Sequence, residues 1–148
     1  MADASSQSID IAATAQTVMA VIRNLAAYPE WAQAVKGVEI LEAGPDGYPR
    51  RARFRLDQAV IKDEYELVYE WAPDDLSVTW HLVSSQIQKA QDGSYVLRPH
   101  GDRTTVTYTL TAEPSIPMIG LLKRKIEKVI MDTALRELKR RAEAQAQS

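Results

Sequence analysis

The 148-residue chain has no cysteine, two histidines, one phenylalanine and nowhere a run of about 18 apolar residues. The missing cysteine excludes disulfides and thiolate metal sites, and it leaves the fold indifferent to the redox state of its compartment. Two scattered histidines do not supply the three or four ligands of a metal centre, so no metal and no cofactor is expected. His81 alternates onto the outer face of a strand and His100 falls in a turn, and both read as surface residues. No Ser, His and acid arrangement and no Gly-rich phosphate loop can be named. The opening MADASSQSIDIAA lacks a basic n-region and an apolar h-region, so the expectation is a cytoplasmic protein. A formal net charge of −2 gives no general pull toward nucleic acid.

Charge is unevenly placed, however. Residues 117–148 hold eight basic side chains against four acids, which leaves the rest of the chain acidic.

Ile9 and Ile11 alternate with polar neighbours over 6–12, the period of a half-buried strand. Thr14 then offers an N-cap to a helix whose Val18, Val21, Ile22 and Leu25 fall at helical spacing. Pro29 breaks this helix and opens a second short one, expected to end near Val35. Strand patterns follow, separated by turn chemistry. They cover Val38–Ala43, Arg50–Gln58, a strand carrying Tyr65, Leu67, Tyr69 and Trp71, Leu76–Val83, a strand near 93–98, and 103–112. Pro114 and Pro117 stop the strands, and from Met118 onward Ile119, Leu122, Ile126, Val129, Ile130, Thr133, Leu135 and Leu138 form a broad helical stripe. One domain over 1–148 is expected, with short disordered ends at about 1–5 and 145–148.

Short turns between consecutive strands imply hairpins and an antiparallel sheet, whose apolar face must be covered. The helix over 117–145 is the one element long enough to do it. The fold class is therefore α+β, a seven-stranded antiparallel sheet in the order β-α-α-β6-α wrapped around a long C-terminal helix.

The segment IDIAATAQTVMAVIRNLAAYPEWAQAVKGVEILE, the Tyr28-Pro29-Glu30-Trp31 corner, Tyr69-Glu70-Trp71 and Pro117-Met118-Ile119-Gly120 occur in this order along nearly the whole chain. This ordered set resembles the START-like (SRPBCC) superfamily, which includes the Bet v 1 allergens and the polyketide cyclase/dehydrase proteins, and is close to its actinobacterial members. The resemblance implies a helix-grip fold with a cavity between sheet and C-terminal helix for lipids, sterols, polyketides or similar molecules. Aromatase/cyclase members act through polar cavity groups, notably a tyrosine on the second short helix and an arginine on a central strand. Here the position matching that tyrosine is Val35, and no Lys or Arg occurs from Asp63 through Gln88.

Three functional readings follow. The first is binding of a small hydrophobic ligand by Trp31, Phe54, Tyr65, Tyr69, Trp80, Leu82 and Tyr108, with Met118, Ile119, Leu122, Ile126 and Ile130 as the helical wall. Trp71 shares the inward face. The second is a cyclase/dehydrase enzyme in which Asp63 and Tyr65 do acid–base work; the plainer expectation for Asp63 is a solvated place at the start of its strand. The third is a protein-interaction module. Lys123, Arg124, Lys125 and Lys128 read as a solvated helix face or as a transient contact for an anionic membrane, with Ile116 to Ile119 as an apolar lip. The assembly expected is a monomer or a homodimer, the latter through edge strands.

Overall fold

A computed structural model of the chain describes residues 4–58, 61–116 and 120–147. The strand periodicities become β1 (Ser5–Ile11), β2 (Val35–Ala43), β3 (Pro49–Gln58), β4 (Ile61–Trp71), β5 (Ser77–Ser85), β6 (Gln88–His100) and β7 (Arg103–Pro114). All pair antiparallel, in the spatial order β1-β7-β6-β5-β4-β3-β2. The meander from β2 to β7 is built of hairpins, and β1 closes against the last strand. The first and second strands are thus the two sheet edges.

Helix α1 (Ala15–Arg23) starts where Thr14 predicts, with the Thr17 N–H donating to Thr14 Oγ1 at 3.2 Å. After a 3-10 turn at Leu25–Ala27 comes α2 (Tyr28–Trp31). The expected extension of this helix to Val35 does not occur. Ala32 is already extended at φ −98° and ψ 99°, and Val35 pairs with Leu56 as the first residue of β2.

The strand expected at 93–98 spans Gln88–His100, because β6 pairs along almost all of β7. Its Gly93 is a site of close approach. A Cβ there would lie 2.1–2.4 Å from the indole of Trp80. His100 is the exposed last residue of β6, and His81 is exposed beside Asp92.

Helix α3 (Gly120–Ala146) packs chiefly against β1, α1 and β7. Its Met131, Leu135, Leu138 and Ala142 are buried in one cluster with Ile11, Val18, Met19, Ile22 and Val106. On the outer face of the sheet the Arg/Glu alternation becomes an ion-pair ladder. Glu66 accepts from Arg51 Nε at 3.0 Å and Nη2 at 2.7 Å, and from Arg53 Nη2 at 2.8 Å. The two guanidiniums hold the Glu66 carboxyl below its usual range.

Candidate ligand cavity on the concave face

Register brings the inward aromatics of separate strands together. Phe54 lies opposite Tyr65, Tyr69 opposite Trp80, and Tyr95 opposite Tyr108. Ring centroids are 5.3 Å apart for Phe54–Tyr65, 6.0 Å for Tyr69–Trp80, 5.8 Å for Trp80–Tyr108 and 4.8 Å for Tyr95–Tyr108. From α2, Tyr28 reaches Phe54 at 6.2 Å and Trp31 at 4.9 Å. The predicted Trp31, Phe54, Tyr65, Tyr69, Trp80 and Tyr108 therefore join one aromatic network. Leu82 lies half-buried opposite Leu67. Trp71 stacks on Tyr69 at 5.6 Å, and its indole N–H donates to the Pro49 carbonyl at 2.7 Å.

The hydroxyls of this network define the site. The Tyr28 O–H donates to the Ile22 carbonyl at 2.7 Å. Those of Tyr65, Tyr69, Tyr95 and Tyr108 have no protein partner among the described residues, although Tyr69 and Tyr108 are buried and the other two half-buried. Yet no fully enclosed side-chain polar atom among the described residues lacks a partner. The four oxygens therefore border space that water-sized groups can reach on the concave side of the sheet. Burial raises the ionisation of all five tyrosines above the usual phenol range, and neighbouring tyrosines add to the effect for all but Tyr108, where Glu127 does. At neutral pH they are uncharged hydrogen-bond donors.

A polar chain borders the rings at Trp80. Its indole N–H donates to Gln91 Oε1 at 3.1 Å, Gln91 Nε2 to Gln88 Oε1 at 3.0 Å, and Gln88 Nε2 to Asp63 Oδ2 at 2.9 Å. Asp63 also accepts from Ser85 Oγ at 2.6 Å and from the Gln86 N–H at 3.0 Å. It is 3% exposed, which corrects the expectation of a solvated residue. The turn after β5 folds over it, and both its oxygens are engaged.

The helical wall also differs from expectation. Leu122 and Ile130 are exposed, Ile126 is half-buried, and the buried residue at this level is Glu127. Met118 and Ile119 lie outside the described residues. The apolar stripe is wider than the face that packs, and periodicity does not say which flank meets the sheet. Ile126 and Ile130 share a flank with Glu137 and Arg141 at helical spacing. Glu137 Oε2 accepts from the Gln33 N–H at 3.2 Å, and Arg141 Nη2 donates to Glu30 Oε1 at 2.9 Å. That flank therefore faces the α2 side. Glu127 accepts from Ser5 Oγ at 3.0 Å and the Ala112 N–H at 3.3 Å, with Lys123 Nζ 3.9 Å away.

Lys123 is half-buried, whereas Arg124, Lys125 and Lys128 are exposed. Tyr28, Tyr95, Gln88, Gln91 and Glu127 were not predicted as site residues. Alternation with Leu97 was a usable signal for Tyr95, and no local signal marks the others. Two open surface grooves, of about 270 and 450 Å³, lie between β1 and α3 and between α1 and the end of α3. Neither includes a residue of the aromatic network. Among the described residues no cluster of three His, Cys, Asp or Glu could hold a metal, and no helix is long and apolar enough to cross a membrane.

A seven-stranded antiparallel sheet with an aromatic inner face, packed on a long C-terminal helix, defines a helix-grip fold. The backbone is similar to that of a START superfamily protein from Mycobacterium smegmatis, with a TM-score of 0.90 at 22% identity over 96% of this chain and 98% of that one. It is also similar to the Zhui aromatase/cyclase of a Streptomyces species, with a TM-score of 0.82 at 17% identity over 97% and 94%. A Thermus thermophilus protein gives 0.80 at 22% identity over 97% and 99%. Over residues 3–143 the sequence matches the family described as polyketide cyclase / dehydrase and lipid transport, and the chain belongs to that family. No curated protein sequence matches it.

Proposed function

We propose that the protein binds a small hydrophobic molecule, lipid or polyketide-like, in the space between the aromatic concave face and the first half of α3. The observation that carries this reading is the set of four tyrosine hydroxyls without protein partners. Buried polar groups in a finished core are paired, and a site built mostly of apolar surface with a few unpaired polar groups is the signature of a ligand pocket. A cyclase reading has less support. Both oxygens of Asp63 are held by its own neighbours, Tyr65 keeps its proton, and no Lys or Arg lies on β4 or β5 from Asp63 onward.

Loading also has a surface to use. Leu121, Leu122 and Val129 are exposed on α3 beside Lys125 and Lys128, a mixed apolar and basic face suited to transient contact with an anionic membrane. Native mass spectrometry of protein purified without lipid stripping tests the central reading, together with uptake of a neutral polyaromatic fluorophore. A retained small molecule and saturable uptake are expected. A chain of unadorned mass that takes up no fluorophore would refute it.

A further inference from the structure

We propose that Asp63 is a positioning residue for Trp80, acting through Gln88 and Gln91, and that this relay sets the orientation of the indole within the aromatic network. The proposal rests on the binding reading above and names the residues that hold its site in shape.

The first ground is the direction of the hydrogen bonds. Asp63 is buried, and as a carboxylate it only accepts. Its Oδ1 takes the Gln86 N–H at 3.0 Å, and its Oδ2 takes Ser85 Oγ at 2.6 Å and Gln88 Nε2 at 2.9 Å. Ser85 Oγ itself accepts the N–H groups of Ile87 at 3.1 Å and Gln88 at 3.0 Å, which leaves its one proton for Asp63. At the far end the Trp80 indole N–H only donates. Between these two ends each amide has one workable orientation. Gln88 turns its NH2 to Asp63 and its oxygen to Gln91, and Gln91 turns its NH2 to Gln88 and its oxygen to Trp80, over 3.0 and 3.1 Å. An acceptor at 63 therefore dictates an acceptor at Trp80, two side chains away.

The second ground is what the relay holds. Ring centroids place Trp80 6.0 Å from Tyr69, 5.2 Å from Tyr95 and 5.8 Å from Tyr108, so it neighbours three of the four rings whose hydroxyls lack protein partners. Gly93 makes room for the indole, since a Cβ there would lie 2.1–2.4 Å from it. The Gln91 bond then fixes how the ring is turned within that room.

The same logic gives a way to break the relay and to mend it. Gln88→Met removes both bonds at the midpoint, at a half-buried position where the fold is not at stake. Gln88→Glu sets an acceptor against the Asp63 carboxylate. Adding Asp63→Asn to Gln88→Glu exchanges donor and acceptor across the first link and leaves Gln91 an acceptor for its NH2, so the oxygen of Gln91 stays on Trp80.

The test reads the indole N–H resonance of Trp80 by NMR in the full chain, assigned through Trp80→Phe, with the Trp71 indole N–H, bonded to the Pro49 carbonyl, as the control. Gln88→Met and Gln88→Glu should each move the Trp80 resonance upfield and leave that of Trp71 in place. Each should also weaken a neutral polyaromatic fluorophore about fivefold, the equivalent of one net hydrogen bond. The double variant should return both readouts toward the parent chain. A Trp80 resonance that stays put in Gln88→Met, one that moves only together with Trp71, or a double variant no better than Gln88→Glu alone would overturn the proposal. If no chain takes up the fluorophore, the binding reading falls, and the indole resonance still decides the relay.

Discussion

The two halves of α3 meet the same sheet in different ways. From Met131 to Ala142 the helix buries Met131, Leu135, Leu138 and Ala142 in the core of the domain, which also takes in residues of β1, β7 and α1. From Gly120 to Ile130 it leaves Leu121, Leu122, Val129 and Ile130 exposed, and its buried residue is Glu127. The first region is core, and the second is, in the proposed reading, the helical side of the ligand site. Stability and binding are therefore carried by different turns of one helix, and each can be broken without the other.

The largest expected effect comes from alkali and belongs to the open half. Five tyrosines there, Tyr28, Tyr65, Tyr69, Tyr95 and Tyr108, ionise above the usual phenol range. In the unfolded chain each titrates near about pH 10. Their contribution is intact below that pH and is lost as pH rises toward the folded values, because the unfolded chain releases protons that the native one retains. Each contributes a slope of about 1.4 kcal/mol per pH unit. Denaturant melts should lose stability steeply above about pH 10, with phenolate absorbance appearing together with unfolding.

Next comes Leu138→Ala in the closed half, where a fully buried side chain is lost. It should cost about 2–5 kcal/mol by thermal or chemical melting. Affinity of the remaining folded protein for a neutral polyaromatic ligand should hold within about twofold, since Leu138 lies on the half of α3 that the proposed site does not use. Gly93→Ala places a methyl against Trp80 and should cost about 1–3 kcal/mol, with a shift in tryptophan fluorescence that reports the displaced indole. Ile130→Ala is the smallest change in stability, under about 1 kcal/mol because the side chain is already 37% exposed. Its effect should instead be on ligand affinity. A large loss of stability there would erase the difference between the two halves.

Much of the fold was legible because strand alternation is a property of each segment alone. Phe54, Tyr65, Tyr69, Trp80 and Tyr108 were placed on the inward face by period two, and the register then joined them. The failures arose where partners come from elsewhere in the chain. Asp63 looks like a polar strand start, and only the later Ser85–Gln88 turn buries it. Glu127 sits in an apolar stripe, and its partners Ser5 and Ala112 belong to two strands. The stripe over Leu122, Ile126 and Ile130 is apolar, but helical spacing cannot show which flank packs, and Leu122 and Ile130 are exposed. The second short helix is shorter than its local pattern suggests because the edge pairing of Val35 with Leu56 overrides local preference.

The binding reading requires a ligand in front of the four hydroxyls. An experimental structure of protein purified without lipid stripping measures that. The expected result is density for an uncharged molecule between the first half of α3 and the rings of Tyr65, Tyr69, Tyr95 and Tyr108, with oxygens about 2.7–3.0 Å from at least two hydroxyls. Ile126 and Ile130 packed directly onto those rings, with the hydroxyls paired to protein groups, would contradict it.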